Sequence, residues 1–258
     1  MSRIGGTFRR IRDKKGKAFI PYVMAGDPDI ERTRQLVSML EECGADIIEL
    51  GVPFSDPLAD GPTIQKAAQR ALSGGMTLDG VVRLVSELRL DTQIPIILMT
   101  YYNPVFKYGE ERFVLDASAA GVDGVIVPDL PPEEAGVLRR TARKADFDTI
   151  FLLAPTSTEG RIRTVARAST GFIYYVSMTG ITGAELSMDA DIRSHISRIK
   201  QESGIPVGVG FGISTPEEAS AVSAFADAVV IGSAIVKHAG QADGDLKAYL
   251  KSIRRAIV

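Results

Sequence analysis

The 258-residue chain is 45% hydrophobic and 24% charged, with a formal net charge of −2. That composition can fill a sizeable core and excludes both a disordered chain and a basic surface for a nucleic-acid backbone. Cys43 is the only cysteine and His195 and His238 the only histidines, which excludes an internal disulfide and a thiolate or imidazole metal cluster.

No apolar run reaches the roughly 18 residues of a membrane span, and the first ten residues hold no apolar signal core. A cytoplasmic protein with no membrane contact is expected. Cys43 reads as a buried structural thiol, His195 as a solvated helical residue and His238 as a partner of a helix C-terminal dipole.

In chain order, residues 2–13 place Ile4, Phe8 and Ile11 on one helical face, so they form a short amphipathic helix that caps an N-terminal surface. Eight strands are predicted, over 18–23, 46–50, 95–100, 123–127, 149–153, 172–176, 206–210 and 226–231. Helices fall over 30–43, 63–73, 78–88, 110–120, 133–144, 159–168, 191–202 and 216–224. Each is long enough for a right-handed crossover, which makes the strands parallel.

Eight such units close into a (β/α)8 TIM barrel, here one domain over residues 1–258 with an extra N-terminal helix. The alternative is an open doubly wound sheet, which would carry G-x-G-x-x-G at an early helix. Gly208, Gly210 and Gly212 come late and with another spacing.

An echo runs between the units. Gly44-Ala45-Asp46, Gly121-Val122-Asp123 and, more weakly, Phe225-Ala226-Asp227 each join a helix to a strand. The glycine supplies the left-handed residue that ends a helix. Pro95 and Pro206 open strands where a missing donor costs least. These features read as folding devices.

The stretch 46–64 carries chemistry. Glu49 stands inside the apolar run Ile47, Ile48, Leu50, where an unpaired buried carboxylate costs several kcal/mol. Gly51 and two prolines end the strand, and the loop brings Asp56 and Asp60 before Gly61-Pro62 opens a helix. One reading makes Glu49 a satisfied core acid and the aspartates turn and cap residues. The other sets Glu49 and Asp60 across a pocket as a general acid–base pair.

After strand seven comes Gly210-Phe211-Gly212-Ile213-Ser214, and after strand eight Gly232-Ser233-Ala234 opens a short helix through Lys237. In barrels these two loops commonly cradle a phosphate on free backbone N–H groups; alternatively they are tight turns. A further glycine segment, Gly180-Ile181-Thr182-Gly183-Ala184, lies in a long loop from Ser177 to about Ala190 that suggests a lid. Tyr22, Met99, Tyr174 and Phe211 fall at C-terminal strand ends and would line an apolar slot for a flat ligand.

The loop 101–108, with Asn103, Phe106 and Tyr108, is apolar for a surface segment, and 128–132 is stiff with proline. They suggest a docking face, or local packing. A Schiff-base aldolase would need a lysine on a strand, and none is predicted there; Lys107 falls in a loop.

The run Ile48-Glu49-Leu50-Gly51-x-x-Phe54-Ser55-Asp56-Pro57-Leu58-Ala59-Asp60-Gly61 resembles, without departure, the signature of the tryptophan synthase α subunit family, and the resemblance extends over nearly the whole chain. It implies retro-aldol cleavage of indole-3-glycerol phosphate to indole and glyceraldehyde 3-phosphate. Asp60 would hold the indole nitrogen, and Glu49 would move protons at C3 and at the glycerol hydroxyl.

The same resemblance makes Gly183, Gly212, Gly232 and Ser233 phosphate ligands and Thr182 a lid residue that sets Asp60. It puts Pro53 and Asp56 at the contact with a pyridoxal phosphate-containing β subunit in an α2β2 heterotetramer, with no cofactor or metal in this chain. Tyr22 stands where a family member has phenylalanine. A free-standing indole-releasing lyase and a phosphometabolite-binding regulatory subunit are the alternatives.

Overall fold

The computed structural model describes residues 2–176, 190–210, 212–240 and 243–257. Thr182, Gly183 and Phe211, expected at the lid and the slot, lie outside these residues. In chain order the elements are α1 (Arg3–Asp13), β1 (Ala18–Met24), α2 (Ile30–Glu42), β2 (Ile48–Gly51), α3 (Pro62–Ser73), α4 (Leu78–Leu88), β3 (Ile96–Met99), α5 (Tyr102–Tyr108), α6 (Glu110–Ala119) and β4 (Gly124–Ile126). There follow α7 (Gly136–Lys144), β5 (Asp148–Ile150), β6 (Leu152–Leu153), α8 (Glu159–Ala168), β7 (Ile173–Val176), α9 (Ala190–Ser203), β8 (Val207–Gly210), α10 (Pro216–Ser223), β9 (Ala228–Ile231), α11 (Ser233–Ala239) and α12 (Asp243–Ala256).

All strand pairings are parallel, in the order β5-β4-β3-β2-β1-β9-β8-β7-β6. The two ends of that order, β5 and β6, are the halves of the single strand predicted over 149–153, interrupted at Phe151. The ring therefore closes through the chain itself, and the fold is the expected (β/α)8 barrel. Three segments differ from expectation besides this break, the first being helix α12, which is not among the predicted helices. Residues 102–108 form helix α5 rather than a loop, its first N–H held by Asp129 Oδ1 at 2.9 Å. Helix α7 starts at Gly136 because the chain first turns at Pro131, whose carbonyl accepts from Glu134 and Ala135.

Alternation along each strand builds the interior. Ala18 and Ile20, Ile47, Ile97, Ile126, Ile150, Phe172 and Tyr174, and Ala228 and Val230 pack inward as one cluster. Helix α1, capped by the Ser2 hydroxyl on Gly5 N–H, closes its N-terminal end with Ile4, Phe8 and Ile11, and Phe8 meets Phe172 with ring centroids 5.7 Å apart. Residues of the opposite strand face, such as Phe19, Ile48, Leu50 and Leu98, pack in a second cluster under the helices.

The Gly-x-Asp echo proves to be a repeated clasp at this closed end. Asp46 N–H donates to the Phe19 carbonyl while its carboxylate accepts from Phe19 N–H, both at 2.9 Å. Asp123 does the same to Ile96 at 2.9 and 2.8 Å, and Asp227 to Val207 at 2.9 and 2.9 Å. Thr170 repeats it with a hydroxyl on Thr149.

In two cases the glycine completes the unit. Gly44 and Gly121 have φ of 93° and 91°, as a left-handed helix terminus requires. Their missing Cβ atoms also leave room for Arg254 and Arg89, which would lie 3.0 and 2.8 Å from such an atom. Those arginines reach the aspartate two residues on, Arg254 to Asp46 at 3.4 Å and Arg89 to Asp123 at 2.7 Å.

Candidate active site

At the opposite, C-terminal end of the strands opens a cavity of about 300 Å³. Strand β2 brings Glu49 to it because the inward alternation of Ile47 continues to Glu49, level with Tyr22 on β1 and Ile97 on β3. The loop that follows returns Asp60 to the same cavity, after which Pro62 starts α3. Tyr22, Met99, Tyr174, Gly212, Gly232 and Ser233 line it as well. Among the described residues, the expected acid pair, three of the slot residues and the two glycine loops after β8 and β9 thus meet in one place.

Glu49 is only 1% exposed, and its Oε2 has no hydrogen-bond partner among the described residues. It is not a satisfied core acid. Burial, then the charge of Asp60, pushes its carboxyl up to about 8. Burial raises Asp60 too, opposed by a hydrogen bond from the Tyr101 hydroxyl. Glu49 can therefore hold a proton at pH 7, in the same cavity as the Asp60 carboxyl.

Tyr101, expected only within a docking loop, supports the site from outside the cavity lining through Ala59 and Asp60. It is 4% exposed, accepts the Ala59 N–H at 3.0 Å, and its ring meets Phe54 at 5.3 Å. Its place just past the end of β3 is the signal, the same position relative to a strand end that singled out Met99. Ile64, from α3, lines the cavity too, as does Ser214 from the expected glycine loop after β8.

Two glycines at this end act as seats for tyrosine rings. A Cβ on Gly51 would lie 2.1 Å from the Tyr22 hydroxyl, and one on Gly210 would lie 2.3 Å from that of Tyr174. Gly51 therefore does more than end a strand: it lets Tyr22 lean across β2. Burial and the charges of Asp60 and Glu49 keep the Tyr22 phenol protonated, and its hydroxyl meets the Met24 sulfur at 4.0 Å.

The residues expected at a partner contact lie on the rim, outside the cavity lining. Asp56, Asn103 and Phe106 are exposed, Phe106 to 66%, whereas Pro53 is buried. Leu58, in the loop after β2, is 89% exposed. Lys107 sits on α5, and among the described residues none of the strands carries a lysine.

Elsewhere, Cys43 is buried as expected. His195 is not simply solvated: it is half-buried, its Nδ1 3.2 Å from the Tyr175 hydroxyl. His238, in the last turn of α11, stacks on Tyr249. No helix among the described residues is long and apolar enough to cross a membrane, and no group of three or more His, Cys, Asp or Glu among them could hold a metal.

The model of the family described as tryptophan synthase alpha chain matches residues 8–256. The tryptophan synthase alpha chain of Geobacter sulfurreducens is 51% identical, with 100% of this chain and 99% of the relative covered. Among solved structures, the tryptophan synthase subunit alpha of Legionella pneumophila superposes with a TM-score of 0.90 at 37% identity, covering 100% of this chain and 98% of that one. A chain of tryptophan synthase from M. tuberculosis gives 0.91 at 35%, covering 100% and 99%. The chain belongs to the tryptophan synthase alpha chain family and is a carbon–carbon lyase for the half-reaction that cleaves indole-3-glycerol phosphate to indole and glyceraldehyde 3-phosphate.

Proposed function

We propose that Glu49 and Asp60 carry this cleavage as an acid–base pair, with the whole chain serving as a single catalytic domain. The indole ring lies in the slot between Tyr22, Met99 and Tyr174, and the phosphate rests on the backbone of Gly212, Gly232 and Ser233. A Cβ on Gly232 would meet nothing closer than Tyr22 at 3.5 Å. Packing against protein does not demand a glycine there; close approach of a ligand does. Thr182 and Gly183 add to the substrate contacts, as the family resemblance implies.

Glu49 gives its proton to the ring carbon C3, and the positive charge that develops at the ring nitrogen is stabilised by the Asp60 carboxylate accepting its N–H. The Glu49 carboxylate then takes the proton of the hydroxyl on the side-chain carbon attached to C3. As that O–H pair becomes the aldehyde C=O, the C–C bond breaks and its electrons return to the ring as neutral indole. The other product is glyceraldehyde 3-phosphate, and Glu49 ends protonated as it began.

The observation that carries this reading is a buried Glu49 whose Oε2 has no hydrogen-bond partner among the described residues and whose carboxyl is held up to about 8 in a cavity shared with Asp60. The exposed Leu58, in the loop after β2, and Phe106, on α5 after the neighbouring β3, support a protein docking face that includes Asp56 and Asn103 and is shaped by Pro53. The partner is a β subunit in an α2β2 heterotetramer, in the cytoplasm, with pyridoxal phosphate held by the β subunit and no cofactor here.

Incubating the purified chain with indole-3-glycerol phosphate tests the assignment. Indole and glyceraldehyde 3-phosphate should appear in equal amounts, without borohydride-trappable adduct, and faster when the β subunit is added. Trapping of a lysine adduct, or no indole with or without the β subunit, would overturn it.

A further inference from the structure

Tyr249, on the C-terminal helix α12, lies outside the cavity lining but touches the Ser214 loop and the helix that begins at Ser233. Its hydroxyl donates to the Ser214 carbonyl at 2.9 Å, and Ser214 lines the cavity beside Gly212. Its ring stacks on His238 with centroids 4.2 Å apart and planes 19° apart. His238 is in the last turn of α11, the helix that opens at Ser233 on the other side of the cradle. Helix α12 packs on both α10 and α11, so Tyr249 is the side chain that reaches one loop while resting on the other's helix.

The remaining polar groups of Ser214 are held from the opposite side. Glu218 Oε2 accepts the Ser214 N–H at 2.6 Å, its hydroxyl at 3.1 Å and the Thr215 N–H at 3.1 Å. The peptide joining residues 214 and 215 is therefore pinned at both ends, its carbonyl by Tyr249 and its N–H by Glu218. Glu218 starts the helix that this same loop feeds, so it travels with the loop and cannot set the loop's distance from α11. Tyr249 can. Burial, then the charge of Glu218, pushes its phenol up to about 12, and the hydroxyl stays a donor through the working pH range.

We infer that Tyr249 is a positioning residue that fixes the spacing between the Gly212 loop and the Gly232–Ser233 turn, and so sets affinity for the substrate's phosphate without entering the chemistry. The inference rests on the phosphate reading of those glycine loops.

The test compares Tyr249→Phe, which keeps the stacked ring, with Tyr249→Leu, in the full chain. In Tyr249→Phe the KM for indole-3-glycerol phosphate and the inhibition constant of glycerol 3-phosphate should both rise about three- to tenfold, the worth of one neutral hydrogen bond. The kcat should stay within about twofold, and so should the KM for indole in the reverse direction at saturating glyceraldehyde 3-phosphate. Tyr249→Leu should weaken phosphate binding further.

Unchanged constants in Tyr249→Phe, a loss confined to kcat, or equal weakening toward indole and the phosphorylated ligands would overturn the inference. Gly232→Val separates the two levels. If glycerol 3-phosphate inhibits that variant as well as wild type, the cradle itself is misassigned. If Gly232→Val loses the inhibition and Tyr249→Phe keeps it, only the role of Tyr249 falls.

Discussion

Asp60 lies close enough to Glu49 across one cavity that its charge adds to burial in lifting the Glu49 carboxyl to about 8. A glutamate raised in this way is a general acid at neutral pH, and the like charge beside it is part of the reason. The cleavage rate of the full chain should therefore fall as pH rises through about 8, as Glu49 loses its proton. Replacing Asp60 by Asn removes the second contribution but leaves burial. The Glu49 carboxyl should titrate lower in that variant yet stay above 4.5, which NMR of labelled glutamate side chains can follow.

The same shift links to stability. Glu49 titrates near 4.5 when unfolded and near 8 when folded, so in between the native state holds the extra proton and stability falls as pH rises through that window. Glu49→Gln cannot ionise. Its advantage over wild type in urea denaturation should be absent at pH 4 and grow to on the order of a few kcal/mol by pH 9. A difference that does not change with pH would show that Glu49 ionises freely in the fold.

Tyr101 holds the loop that carries Asp60. Tyr101→Phe strands the Ala59 N–H and removes the hydrogen bond that opposes the upward shift of Asp60. The acid-side limb of the pH–rate profile should move to higher pH, since Asp60 then protonates more readily. Turnover at pH 7 should drop about 10- to 100-fold through lost positioning. Steady-state kinetics across pH 5 to 9, the window about the ordinary histidine range, read both effects.

Gly51 and Tyr22 make a pair that can be tested by compensation. Gly51→Ala drives a Cβ to 2.1 Å from the phenol oxygen, displacing the ring from the slot, so substrate binding should weaken and the protein lose about 1–3 kcal/mol of stability. Adding Tyr22→Leu removes the clash. The double variant should regain stability relative to Gly51→Ala, a non-additivity readable in a double-mutant cycle.

The barrel and its acid pair were legible because each leaves a local mark: strands alternate with helices of crossover length, and Glu49 interrupts an apolar run. Other features depend on pairs far apart in sequence. Nothing local in Gly51 tells that Tyr22, on the neighbouring strand, needs its bare Cα. The Gly-x-Asp echo was visible as a repeat, but its purpose depends on Arg89 and Arg254 arriving from elsewhere. Helix α5 hid in an aromatic stretch because its cap, Asp129, comes from the loop after the next strand. The break at Phe151 marks where the closing strand changes partners, a property of the ring and not of the residue.

That clasp sets a further expectation. Asp123 is 4% exposed and holds Arg89, Arg3 and the Ile96 N–H. Asp123→Ala leaves a buried guanidinium without its anion and should cost about 3–5 kcal/mol in urea denaturation. Gly121→Ala forces an alanine to a φ of 91° and a contact of 2.8 Å with Arg89, and should cost about 1–3 kcal/mol. Both sit at the closed end, so kcat of the remaining folded protein should be near wild type.

The most direct measurement is single-turnover cleavage of indole-3-glycerol phosphate by Glu49→Gln, alongside its affinity for a non-cleavable indole-propanol phosphate ligand. Binding within about threefold of wild type, with cleavage slowed about 1,000-fold or more, is the expected result. Cleavage by Glu49→Gln at close to the wild-type rate would contradict the account, since the proton at C3 would then come from another group.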